Sequence, residues 1–85
     1  MTMEERVLNM IKRDIAEYND VSRLYYTVRD TDNSLTEYYR GKVAAMCNHL
    51  IDCCWELGYT IDFVRAQDPS THIYYEKAKL IENAE

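Results

Sequence analysis

Glycine and proline are nearly absent from this chain: two of the first and one of the second in 85 residues. So sparse a supply of turn formers argues against a loop-rich or all-β fold. It also excludes a glycine-rich phosphate loop, because the isolated Gly41 and Gly58 cannot cradle an anion on successive backbone N–H groups. There is no block of Lys and Arg, and the formal net charge is −5. Direct nucleic-acid binding and attachment to an anionic membrane are therefore not expected, since both need clustered cations. The acids are spread out: residues 1–33 carry seven acids and five bases, 34–58 three and two, 59–85 five and three.

No apolar run approaches the roughly 18 residues of a membrane span. The opening Met1-Thr2-Met3-Glu4-Glu5 is acidic where a secretory signal is basic. Cys47, Cys53 and Cys54 sit in one short segment, and the vicinal pair does not form an ordinary structural disulfide. These features predict a soluble protein of a reducing, cytoplasmic compartment.

What the chain does have is tyrosine. Eight are present, six of them as the adjacent pairs Tyr25-Tyr26, Tyr38-Tyr39 and Tyr74-Tyr75. Neighbours on a helix point about 100° apart, so one ring of a pair can pack while the other looks elsewhere.

The spacing predicts an all-α single domain spanning residues 1–85. From Met3 to about Arg29, Ile11, Tyr18 and Tyr25 recur at seven-residue intervals beside Val7, Ile15, Val21 and Val28. Asn19-Asp20 is the weakest point of this long helix. A polar connector, Asp30–Asn33, leads to Ser34-Leu35-Thr36-Glu37, which reads as a capping box. A second helix over 35–57 then stops at Gly58, and the short connector makes the two helices an antiparallel hairpin. Residues 59–64 read as a short extended segment. Asp68-Pro69 resembles a helix start, which places a C-terminal helix over 69–83. The competing arrangement is a β-hairpin formed by Tyr59–Val64 and His72–Lys79.

Helical phase gives the second helix two apolar faces. Leu35, Tyr39, Val43, Met46, Leu50, Cys53, Cys54 and Leu57 share the core arc. Gly41, Ala44, Asn48, Ile51 and Trp55 lie on the far side. A two-helix hairpin would leave Ile51 and Trp55 in water, so either the C-terminal segment or a second copy of the chain is expected to cover them. Phase also divides the tyrosines into core rings (Tyr18, Tyr25, Tyr39, Tyr74) and surface rings (Tyr26, Tyr38, Tyr75).

Chemistry is harder to find. His49 and Cys53 share a helix flank, but two or three ligands on one helix are too few for a closed zinc site. No nucleophile motif accompanies the cysteines. No catalytic residue, metal ligand or cofactor is expected. The sequence points instead to a non-catalytic protein-binding module, of inhibitor or adaptor type, acting alone or as a homodimer. Its contact residues would be Tyr26, Tyr38, Tyr75, Ile51 and Trp55, since aromatic side chains flanked by charge resemble interface anchors. One alternative is a nucleotide-like small ligand held by Tyr38, Arg40 and Lys42. A second is an acidic mimic of nucleic acid, which requires carboxylates such as Asp14, Glu17, Asp30 and Asp32 to gather on one face.

Overall fold

Two helices are followed by a β-hairpin: α1 (Met3–Val28), α2 (Asn33–Leu57), β1 (Thr60–Gln67) and β2 (Tyr74–Ile81). This computed structural model describes residues 2–29 and 33–81. The helices set the long dimension of a body measuring 44 × 23 × 20 Å.

Local capping accounts for the helix ends. Thr2 Oγ1 accepts the Glu5 N–H at 3.1 Å, and the Glu5 carboxylate reaches back to the Thr2 N–H at 3.5 Å. That reciprocal pair satisfies two otherwise orphaned donors. α2 begins at Asn33, so Ser34 lies inside its first turn rather than at the cap position. Thr36, nearly fully buried, does a different job: its hydroxyl is shared between the carbonyls of Val28 at 2.9 Å and Arg29 at 3.2 Å, closing the end of α1. α2 ends in a Schellman motif. Gly58 takes φ +80, its N–H reaches the Trp55 carbonyl at 3.3 Å, and the Tyr59 N–H reaches that of Cys54 at 2.9 Å.

The all-α expectation, with a helix over 69–83, is overturned. Residues 74–81 form β2, antiparallel to β1, with Ile61 opposite Leu80 and Phe63 opposite Ala78; residues 82 and 83 lie outside the described residues. The extended segment expected at 59–64 belongs, from Thr60 on, to the longer β1. The reason for the misreading lies at Asp68. Its Oδ1 accepts the Ser70 N–H at 2.9 Å and the Ser70 hydroxyl at 2.7 Å, the same local bonding that starts a helix. Here it supports one turn only. The His72 N–H bonds the Asp68 carbonyl at 2.8 Å, His72 itself takes φ +61, and the Asp68 N–H then meets the Ile73 carbonyl at 2.9 Å. The chain has reversed into a hairpin loop. Tyr74, expected in the core, is consequently 49% exposed, while Tyr75 is half-buried.

The core joins both helices and the hairpin. Ile11, Ile15 and Tyr18 of α1 meet Leu50 and Cys54 of α2 and Ala78 of β2, with Val43, Met46, Ile61, Phe63 and Leu80 packed around them. The Tyr18 and Phe63 rings make an edge-to-face contact at 5.6 Å. Of the apolar residues flanking this stripe on α1, Met10 and Leu24 stay exposed.

Asn19, the expected weak point of α1, sits in an unbroken helix and bonds the hairpin. Its Oδ1 accepts the Ala78 N–H at 2.7 Å, and its Nδ2 donates to the Ala78 carbonyl at 3.2 Å. One turn on, the fully buried Ser22 hydroxyl donates to the Glu76 carbonyl at 2.6 Å. These bonds close the edge of β2 that β1 leaves open. Along β1 the Asp62 carboxylate accepts the neighbouring Phe63 N–H at 2.9 Å. Arg23 bonds Asp20 at 2.9 Å and stands 3.6 Å from Asp68, linking α1 to the hairpin loop.

Two substitutions test this scheme. Asn19→Ala leaves the Ala78 backbone groups without partners and should cost about 2 kcal/mol in urea unfolding, with faster amide exchange at Ala78. Gly58→Ala meets open space but keeps a left-handed backbone, so a loss of about 1 kcal/mol is expected from conformation alone.

Candidate interaction surface

On the exposed side of α2, Glu37, Gly41, Ala44, Asn48, Ile51 and Trp55 recur at alternating spacings of four and three. That is the seam of a heptad pattern, one narrow stripe along the helix. It lies roughly opposite Val43, Met46, Leu50 and Cys54, which face the core. All six residues are exposed. Trp55 is 83% exposed and Ile51 42%. The C-terminal segment, one of the two covers expected for this face, packs elsewhere: β2 lies against α1, and β1 meets α2 only on its inner side.

Gly41 is notable within the stripe. A β-carbon built there meets nothing within 4 Å. Inside a helix, glycine costs about 1 kcal/mol relative to alanine, and among the described residues no group uses the space it leaves. The charges of α2 are also polarised. Arg40 and Lys42 stand in its first half, Asp52 and Glu56 in its last. No acid lies in the first turn and no base in the last, so Glu56 opposes the helix dipole.

Tyr38 is 60% exposed on the flank of the stripe. It makes an edge-to-face contact with Tyr39 at 5.1 Å, and the Lys42 ammonium lies 5.9 Å from its ring centre. Tyr25 and Tyr26 make the same contact at 5.0 Å. On the helices, then, each pair stacks on itself. Arg40 turns away from Tyr38: it bonds Glu37 at 3.0 Å and lies beside the Tyr25 hydroxyl. A cavity of about 330 Å³ beside Lys42 is lined also by Asp14, Glu17 and His49, but by neither Tyr38 nor Arg40. Asp30 and Asp32 lie outside the described residues.

The five contact residues named from sequence thus fall into two groups. Tyr26 and Tyr75 meet in a cleft of about 400 Å³ between the end of α1 and the hairpin, which no α2 residue lines. Arg29 and Arg65 border it, each guanidinium over a tyrosine ring: Arg29 is 5.2 Å from Tyr26 and Arg65 is 4.2 Å from Tyr74. Glu76 stands among them, so the cleft has mixed charge. Burial, with Glu76 and Tyr25 nearby, pushes the Tyr26 phenol up from its ordinary value, while Arg29 acts the other way. Ile51 and Trp55 remain on α2, with Tyr38 near the opposite end of the same helix.

Two of the thiols favour their protonated forms. Burial raises the Cys54 thiol, assisted by Cys53, and raises the Cys47 thiol, assisted by Glu76. A thiol so shifted is a poorer nucleophile at neutral pH. Among the described residues, no three His, Cys, Asp or Glu side chains gather as a metal site, and no helix is long and apolar enough to cross a membrane. Comparison with protein-family models, curated proteins and solved structures gives no match.

Tyr18 provides a pH test of the packing. Burial chiefly, then Cys47 and Glu76, pushes its phenol up to about 12, with the Ser22 hydroxyl working against them. Because the folded value lies above the ordinary 10.0, this contribution to stability is complete below pH 10 and is lost as the pH rises towards 12. Alkaline unfolding monitored with tyrosinate absorbance should show Tyr18 ionising last, together with loss of structure.

Proposed function

We propose that this chain is a non-catalytic protein-binding module whose contact surface is the outer stripe of α2. The observation that carries the reading is Trp55, 83% exposed at the end of a stripe that continues through Ile51, Asn48 and Ala44. Leaving an indole in water forgoes roughly 2 kcal/mol or more of burial energy, and tryptophan is among the residues that most often dominate protein interfaces. Inhibitor and adaptor roles both fit, since each needs a rigid face and no chemistry. Three free cysteines, one of them buried, suit a reducing cytoplasmic setting.

The nucleotide-like alternative draws less support. Arg40 is taken up by Glu37 and Tyr25, and the cavity beside Lys42 carries two carboxylates. Nucleic-acid mimicry draws little as well, because Asp14 and Glu17 share their cavity with Lys42.

Recovery of complexes on the tagged chain from its native host tests the reading. Trp55→Ala and Ile51→Ser are expected to leave the circular dichroism unchanged while abolishing recovery of the bound protein. Equal recovery with both variants would remove α2 as the contact surface.

A further inference from the structure

The stripe on α2 is complementary to itself when reversed. Its small residues stand at one end and its large ones at the other: Gly41 and Ala44, then Asn48, then Ile51 and Trp55. Lay a second copy antiparallel with the two Asn48 residues facing. Trp55 then lies over the partner's Gly41, and Ile51 stands level with the partner's Ala45, one residue from the partner's Ala44. Each large side chain meets a small one, twice over by symmetry, as a two-fold interface requires. A polar asparagine at the centre of such a seam is a known means of setting register.

Side-chain size selects the direction. In a parallel pair, Trp55 would meet the partner's Trp55, and the two Gly41 slots would face each other empty. In the antiparallel pair, the slot at Gly41, where a β-carbon meets nothing within 4 Å, is filled by the partner's Trp55.

We propose that the occupant of this surface is a second copy of the same chain, docked through α2 in antiparallel register about Asn48. The proposal rests on the reading of α2 as a protein-binding face and names its partner. The seam from Gly41 to Trp55 runs about 21 Å at ~1.5 Å per residue. That is a small interface, so the dimer should be reversible, in the micromolar range, rather than obligate.

Trp55 is the single tryptophan, which makes its emission a direct reporter. The full-length purified chain is examined by sedimentation velocity and tryptophan fluorescence from micromolar to millimolar concentration. A reversible dimer is expected, with emission shifting to the blue in step with dimerisation. A monomer throughout overturns the proposal, and so does a dimer whose emission stays put, since its seam must lie elsewhere. Gly41→Leu places a good helix former in open space, so the fold is retained, but it fills the slot and should weaken the dimer about thirtyfold. Undiminished affinity overturns the register. A chain that stays monomeric yet loses a host protein on Trp55→Ala overturns the dimer alone and leaves the protein-binding reading standing.

Discussion

A two-stranded hairpin buries one face and leaves two backbone edges open, so in water it is marginal by itself. In this protein the Asn19 carboxamide supplies what a third strand would. It presents one acceptor and one donor to the N–H and carbonyl of Ala78, and Ser22 repeats the contact one turn along at Glu76. Tyr18 lies on the same turns of α1 and packs edge-on against Phe63 of β1. Polar docking and apolar packing therefore come from one short stretch of helix. The hairpin is held against α1, and the far side of α2 is left bare as a direct result.

The bare side has its own logic. A glycine in open helical space, an exposed tryptophan and an acid at the wrong end of the dipole each cost the isolated chain something. Local conflicts of this kind concentrate where a sequence answers to something besides its own fold. All three lie on one helix, while the buried side-chain polar atoms among the described residues find partners. The contrast between a satisfied interior and an unsatisfied outer stripe is what distinguishes α2.

The helical hairpin was legible because both helices are long, nearly free of breakers and periodic in Ile, Val, Leu and Tyr. So was the stripe bearing Ile51 and Trp55, since helical phase alone places it away from the core. The C-terminal third was not. Asp68-Pro69-Ser70 makes the same side-chain bond in a loop as at a helix start, and only the residues beyond it decide between the two. The strands do not help, because their alternation is broken: Arg65 and Glu76 share the inner face yet stay exposed where the hairpin passes beyond the core. Asn19 was read as a weakness from propensity, which takes no account of a bond to a residue 59 positions away. The meeting of Tyr26 with Tyr75 was hidden for the same reason, since it needs the strand register to bring them together.

Asp62 has a consequence for the behaviour of the chain in crowded solution. Within β1, the Phe63 N–H lies in the middle of the outer edge and would be a first point of attachment for a foreign strand. The Asp62 carboxylate already holds that N–H. A strand arriving to extend the sheet would have to displace a charged group bonded to its own neighbour, and then pair alongside it. The two edges of the sheet are thus stopped by different means, one by a helix and one by a carboxylate. Strand addition is thereby disfavoured at each edge.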